Sequence, residues 1–448
     1  MKVSRIILAF AVCLILGVSC QDKEKEDSKK PIAEGLILNE IAPHEDSEGF
    51  DTWVEILNTT KETISLEGLS LFITDTYFKG QSIATLSGSL AAGERKVLSV
   101  DDGTLRTGIA SNAAFTLVLG SSNDNHTDSF ERKDDDPSLG YFGSWQRIPD
   151  ASGEWRRVTY SSRGSENKLF DAANYRPTAV WAWGSHLSDL TADNGAKMRD
   201  LKRKGYDHIL MNFAGFENKN YRQQAINFIN LCEEIDLVPH VWLQCFYQNG
   251  SWVSPIDDTS KTYKEELFEL IRNDARRYVE TWGVKGVHLD YIRFGGTASK
   301  HNWTTEVNSV AAVNRCCREI RETTDSFEEG LLTSAALMPE ANSSQYYGQK
   351  PAEMAKYIHI LMPMNYRYGS YNMTDDTFKG NSNYYSDQAA KSGGVCWTGI
   401  QTYDSATKGM TAEALRKDID LIAETRAAGV VLFRYQLGDF PDINDLWK

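Results

Sequence analysis

Gly286-Val287-His288-Leu289-Asp290-Tyr291-Ile292-Arg293-Phe294 is an apolar run in which Val, Leu and Ile alternate with polar and aromatic residues. Period-two alternation puts His288 and Asp290 on one face of an extended segment, with the acid toward the end of the strand. Seven more strand-like runs accompany it, at 178–183, 208–213, 238–245, 331–338, 359–366, 395–401 and 430–435. Helical patterns separate them at 195–204, 220–235, 263–282, 305–323, 352–357, 385–392 and 412–428. Eight strands with seven intervening helices, over a length close to the roughly 250 residues usual for the fold, predict a (β/α)8 TIM barrel at 175–448. A doubly wound open sheet is the alternative, but no Gly-rich nucleotide turn follows the first strand.

Residues 35–167 have a different grain. Short alternating strands at 36–41, 52–57, 69–74, 96–100, 114–119 and 145–148 are punctuated by Gly, Asn, Asp and Ser, which predicts an all-β sandwich. Four motifs carry more: Ile37-Leu38-Asn39-Glu40-Ile41, Asp51-Thr52-Trp53-Val54-Glu55-Ile56-Leu57-Asn58, Ile64-Ser65-Leu66-Glu67-Gly68-Leu69, and Trp145-Gln146-Arg147-Ile148-Pro149-Asp150 with Gly153-Glu154-Trp155. Together they resemble the lamin-tail domain, which implies an immunoglobulin-like accessory or binding module and transfers no catalytic residue. Trp53, Glu55 and Trp145 read as core packing and strand-edge hydrogen bonding.

Ahead of the sandwich, Lys2 and Arg5 precede an apolar run at 6–18 that is too short to span a bilayer. It closes on Leu16-Gly17-Val18-Ser19-Cys20, similar to a bacterial lipoprotein cleavage box in which Cys20 becomes the lipidated first residue. A signal peptide at 1–20 is therefore expected, with a plain secretory signal as the alternative. The following charged stretch, 21–34, is too polar to fold alone and reads as a tether. It looks like the tethers of surface lipoproteins from Bacteroidetes-like bacteria. An exported protein, lipid-anchored in the cell envelope at the outer-membrane surface, is the expectation.

Composition narrows the partners. With 41% hydrophobic and 25% charged residues the chain is globular, and its formal charge of -14 without a dense basic run argues against nucleic acid. Eleven Trp and 20 Tyr hint at a carbohydrate-facing surface, although most such rings pack cores. Cys232, Cys245, Cys316, Cys317 and Cys396 show no zinc spacing and read as buried small hydrophobes, with one disulfide possible. No cofactor is called for, and the sequence sets no oligomeric state.

Barrel chemistry sits at the C-terminal ends of strands, so those residues are the informative ones. In chain order they include Trp181, Trp183, Asn212, Trp242, Gln244, His288, Asp290, Arg293, Glu340, Asn365, Tyr366, Gln401 and Arg434. Rings for stacking and groups for hydroxyls converge, as a sugar site requires. Asp290 and Glu340 fall on adjacent strand ends, and glycoside cleavage needs two carboxyls. Strands about 4.8 Å apart would let them approach the roughly 5 to 5.5 Å of retaining enzymes.

The fourth-strand run, with Met362-Pro363-Met364-Asn365-Tyr366, resembles the glycosyl-hydrolase-10-like barrel group of glycosidases. More distantly, an Asp on strand four and a Glu on strand five resemble the α-amylase clan, which implies Asp290 as nucleophile and Glu340 as acid/base. A chitinase-like pattern fails because its Glu would fall at Ile292. The resemblance implies a surface glycoside hydrolase acting on an oligo- or polysaccharide; a glycan-binding or adhesion lipoprotein is the alternative.

Competing readings stand beside these. Asp290 could form an ion pair with Arg293 or Arg434, Glu340 could be solvated, and the three tryptophans could be packing. His240 and His288 could suggest a metal, but two His and one Asp are too few to specify one. Failure of the Asp290–Glu340 pair would move the search to Glu217 or Asp404.

Overall fold

The computed structural model describes residues 33–447 apart from 45–49, 123, 328, 341, 406 and 407. The signal segment, Cys20 and the tether before residue 33 lie outside the described residues. No helix among the described residues is long and apolar enough to cross a membrane.

Eight parallel strands close into a barrel: Thr178–Ala182, His208–Asn212, Val238–Gln244, Gly286–Asp290, Leu332–Leu337, Ile360–Pro363, Val395–Gln401 and Gly429–Phe433, numbered here as barrel strands one to eight. The closure has a simple cause in the sequence: both faces of each strand are apolar, so both must be buried. Ala179, Trp181, Leu210, Trp242, Ile360, Met362, Trp397 and Val431 pack together inside the barrel. Their chain neighbours Val180, Ile209, Val241, Leu361 and Val430 belong to the other core, beneath the helices. Burying each such side chain contributes about 1.5 to 3 kcal/mol.

The helix Glu265–Trp282 shows how the outer layer is written. It buries Leu267, Phe268, Ile271, Ala275, Tyr278, Val279 and Trp282 on one stripe, starts on two acids, and stops at Gly283 in the left-handed conformation. Other helices extend beyond expectation. Leu187–Arg203 is two helical pieces meeting at a kink where residues 192–195 leave helical geometry; the second piece is the helix predicted from 195, and the short first piece precedes it. Asp375–Ala390 starts at a Thr374 cap, ten residues ahead of the predicted 385.

Strand four is shorter than its apolar run. It ends at Asp290, not 294, because Tyr291 turns the chain at φ +50.

The N-terminal strands form two larger antiparallel sheets around one core, with Ile64–Ser65 and Ser89–Leu90 pairing separately. One has the order Glu154–Val158, Ser144–Ile148, Leu36–Ala42, Trp53–Asn58, Arg95–Ser99; the other has Lys79–Thr85, Ser70–Thr74, Phe115–Ser122, Asn125–Arg132. The sandwich docks on the end of the barrel opposite the C-terminal strand ends. Thr159 donates from its N–H and hydroxyl to Glu329, each at 2.7 Å, and the Tyr141 N–H donates to Thr281 O at 3.1 Å. Gly140 touches the Glu280 carbonyl so closely that any side chain there would collide with it.

Candidate active site

Asp290 ends strand four at the C-terminal mouth of the barrel, and its two oxygens accept two fixed donors. Trp242 Nε1 donates at 3.0 Å from strand three, and the Tyr291 N–H donates at 2.7 Å. The carboxyl opens on a cavity of 120 Å³ also lined by Trp181, Trp183, Trp242, Arg293 and Tyr366. Trp183 and Trp242 lie 4.6 Å apart at 33°, and Phe433 completes the apolar wall. Six of the residues expected from the sequence are therefore brought together here.

Burial pushes the Asp290 carboxyl up to about 6, against the Tyr291 and Trp242 donors and the positive charge of Arg293. Among the described residues, no ion pair within 4 Å joins Asp290 to Arg293 or Arg434. Arg293 instead stacks over Trp252 at 4.6 Å, Tyr347 at 5.3 Å and Tyr291 at 5.7 Å.

Glu340 follows strand five and is not among the residues lining the Asp290 cavity. One of its oxygens is buried without a hydrogen-bond partner. Arg293 feels the charge of both Asp290 and Glu340.

Other expected ligands are committed elsewhere. His288 lies one layer below Asp290 and is fully buried; Trp181 Nε1 donates to its Nε2 at 3.0 Å, leaving its Nδ1–H to donate to Ser334 Oγ at 2.9 Å. It positions Trp181 and has no nitrogen left for sugar or metal. The His240 Nε2 is bonded to His208 at 3.0 Å, so that ring also serves the barrel interior. Asn365 is buried between Phe378 O, Ser382 and Asn381, and Gln401 joins Tyr368 N–H to Tyr403 O. Neither faces the cavity.

Asn212 opens on a separate depression beyond Trp183, where its Nδ2 is buried without a partner. Gln244 pairs in register with Asp290 but does not line the cavity. Arg434 reaches His186 Nε2 at 3.4 Å. The reserve acids are also occupied: Glu217 pairs with Arg277 at 2.6 Å and Asp404 with Lys408 at 2.9 Å.

The structure adds aromatic groups that strand ends alone did not disclose. Tyr247 stacks on Tyr291 at 4.7 Å, and Trp252 stands over Arg293 from a hairpin turning at Asn249-Gly250, both at positive φ. That dipeptide is the usual signature of a tight hairpin turn and was the available signal. Gly295 lies flat against Trp252; a Cβ there would sit 2.9 Å from the ring.

No family model matches the chain, and no curated protein matches it. Solved structures do resemble it. The glycoside hydrolase domain of PgaB (BpsB) from Bordetella bronchiseptica is 10% identical at a TM-score of 0.43, with 58% of this chain and 94% of that chain covered. A chitinase from Chromobacterium violaceum is 12% identical at 0.41, covering 58% and 95%. A Bacteroides uniformis β-glucuronidase is 11% identical at 0.38; the match covers 90% of this chain and 45% of that chain.

Proposed function

We propose that this chain is a glycoside hydrolase acting on an oligo- or polysaccharide, with Asp290 as nucleophile and Glu340 as acid/base. The observation that carries the reading is Asp290 itself: a desolvated carboxylate, held by two donors and facing a cavity walled by tryptophans at the catalytic end of a barrel. With its pKa near 6 it is ionised at neutral pH and can attack an anomeric carbon. Glu340, just past the end of strand five on the same rim, would supply the second carboxyl that glycoside cleavage needs.

Incubating the purified protein with a polysaccharide panel and measuring reducing ends tests the reading. Release from at least one glycan is expected, with Glu340→Gln slowing poor leaving groups more than activated aryl glycosides. No release from any glycan would favour the second reading, a glycan-binding protein. That reading draws on one observation: among the described residues, Asp290 is the only acid lining its cavity.

We also propose that Cys20 carries a lipid anchor, from the apolar run and small residues before it. Cys20→Ala should move the protein from the membrane fraction to the soluble one; unchanged retention would count against lipidation.

A further inference from the structure

Arg293 is a half-buried cation whose hydrogen-bonding capacity is almost unspent. Among the described residues no carboxylate lies within 4 Å of it, its Nε is buried without a partner, and its one hydrogen bond is a 3.5 Å contact from Nη1 to Phe294 O. Asp290 and Glu340 attract it only through space. The same side chain lines the cavity of Asp290.

Taking a guanidinium out of water without a paired anion is costly unless a ligand supplies one. Its position is nevertheless enforced. Three rings, Trp252, Tyr347 and Tyr291, hold the guanidinium, and Gly295 leaves the room that Trp252 occupies. By contrast Arg367, on the same end of the barrel, is neutralised by Asp375 and by Asp418 at 2.9 Å. A planar fork kept in place and left unpaired beside a sugar pocket suits a planar or trigonal anion.

We infer that Arg293 is the anion-binding element of the pocket, and that the glycan bound there carries an acidic group, either a uronic acid carboxylate or a sulfate ester. The inference rests on the carbohydrate reading of the Asp290 cavity. It narrows the substrate to anionic glycans.

The test uses the full chain carrying Asp290→Asn to suppress turnover. Calorimetric titrations compare tetragalacturonate, a hyaluronan tetrasaccharide and a chondroitin sulfate tetrasaccharide with their carboxyl-reduced or desulfated counterparts. At least one acidic probe should bind tenfold or more tightly than its neutral counterpart, with the advantage shrinking as salt rises. Which modification abolishes it separates carboxylate from sulfate.

Arg293→Met keeps an apolar stem over the rings and should erase the preference, while Arg293→Lys should keep part of it. Equal binding of acidic and neutral probes, no binding by any acidic probe, or a preference that survives Arg293→Met would overturn the inference. Turnover by the unsubstituted chain is measured in parallel. Selective acidic binding without hydrolysis would sink only the hydrolase reading, and hydrolysis confined to neutral glycans only this one.

Discussion

The sandwich and the barrel each bury carboxylates, and they treat them differently. In the sandwich, Glu40 accepts from Ser144 Oγ, Gln146 Nε2 and the Ser162 N–H and hydroxyl, at 2.6 to 2.9 Å. Beside it Glu55 accepts from Asn39 at 2.8 Å and the Gly164 N–H at 3.0 Å, with Arg95 at 3.3 Å. These acids clasp the segment that leads into the barrel. Asp290 has only two donors and opens on a cavity. Saturated acceptors fix a structure, whereas an acceptor with lone pairs to spare beside empty space is available to a ligand.

The largest expected effect follows from that contrast. Asp290→Asn should lower glycan turnover by about a thousandfold or more, with thermal unfolding nearly unchanged. Glu40→Gln should leave turnover intact. In the unsubstituted chain, kcat/KM should fall on an acid limb near pH 6, since burial has raised the Asp290 carboxyl to about 6 and the nucleophile must be ionised. An acid limb near pH 4 would mean that Asp290 is not the titrating group.

How much of this the sequence disclosed depends on burial. The eight barrel strands were legible because each is an apolar run and a helical pattern separates each from the next. Three unread sandwich strands, Lys79–Thr85, Asn125–Arg132 and Glu154–Val158, lie at sheet edges with most of their residues exposed or half-buried, so their hydrophobic signal is thin. In the site, parity correctly turned His288 and Asp290 inward but did not give their height in the barrel. One layer separates a histidine sealed in the interior from an acid at the mouth. The stacking of Trp252 on Arg293 depends on two loops meeting in space, which no local pattern encodes.

The clasp gives the next prediction. Ser162, Gly164 and Asn167 all lie inside 35–167, and Asn167 Nδ2 donates to Asn39 O at 2.9 Å, so the donors that Glu40 and Glu55 require travel with the sandwich. We propose that this segment folds alone. A fragment of residues 35–167 should unfold cooperatively, and one ending at 160 should melt well below it. Equal melting of the two would show that the clasp does not hold the sandwich. Within the full chain, Glu40→Ala strands the buried donors of Ser144, Gln146 and Ser162, a loss of about 3 kcal/mol in denaturant unfolding. A loss under about 0.5 kcal/mol would place the clasp among the neutral contacts.

The smallest effect concerns charge alone. Burial raises the Glu55 carboxyl to about 7, chiefly by desolvation, with the neighbouring charge of Glu40 adding to it. A carboxyl whose pKa is higher in the folded than in the unfolded chain binds its proton more tightly when folded. Its contribution is therefore complete below the unfolded value near 4.3 and is lost as pH rises through about 7. Glu55→Gln keeps the shape and removes the titration. Between pH 5 and 8 the unsubstituted chain should lose more stability than Glu55→Gln does, measured by denaturant unfolding of the sandwich, since every other titrating acid is common to both chains. Parallel pH profiles would mean that Arg95 and the Asn39 and Gly164 donors keep Glu55 ionised, and that both regions hold their acids charged at neutral pH.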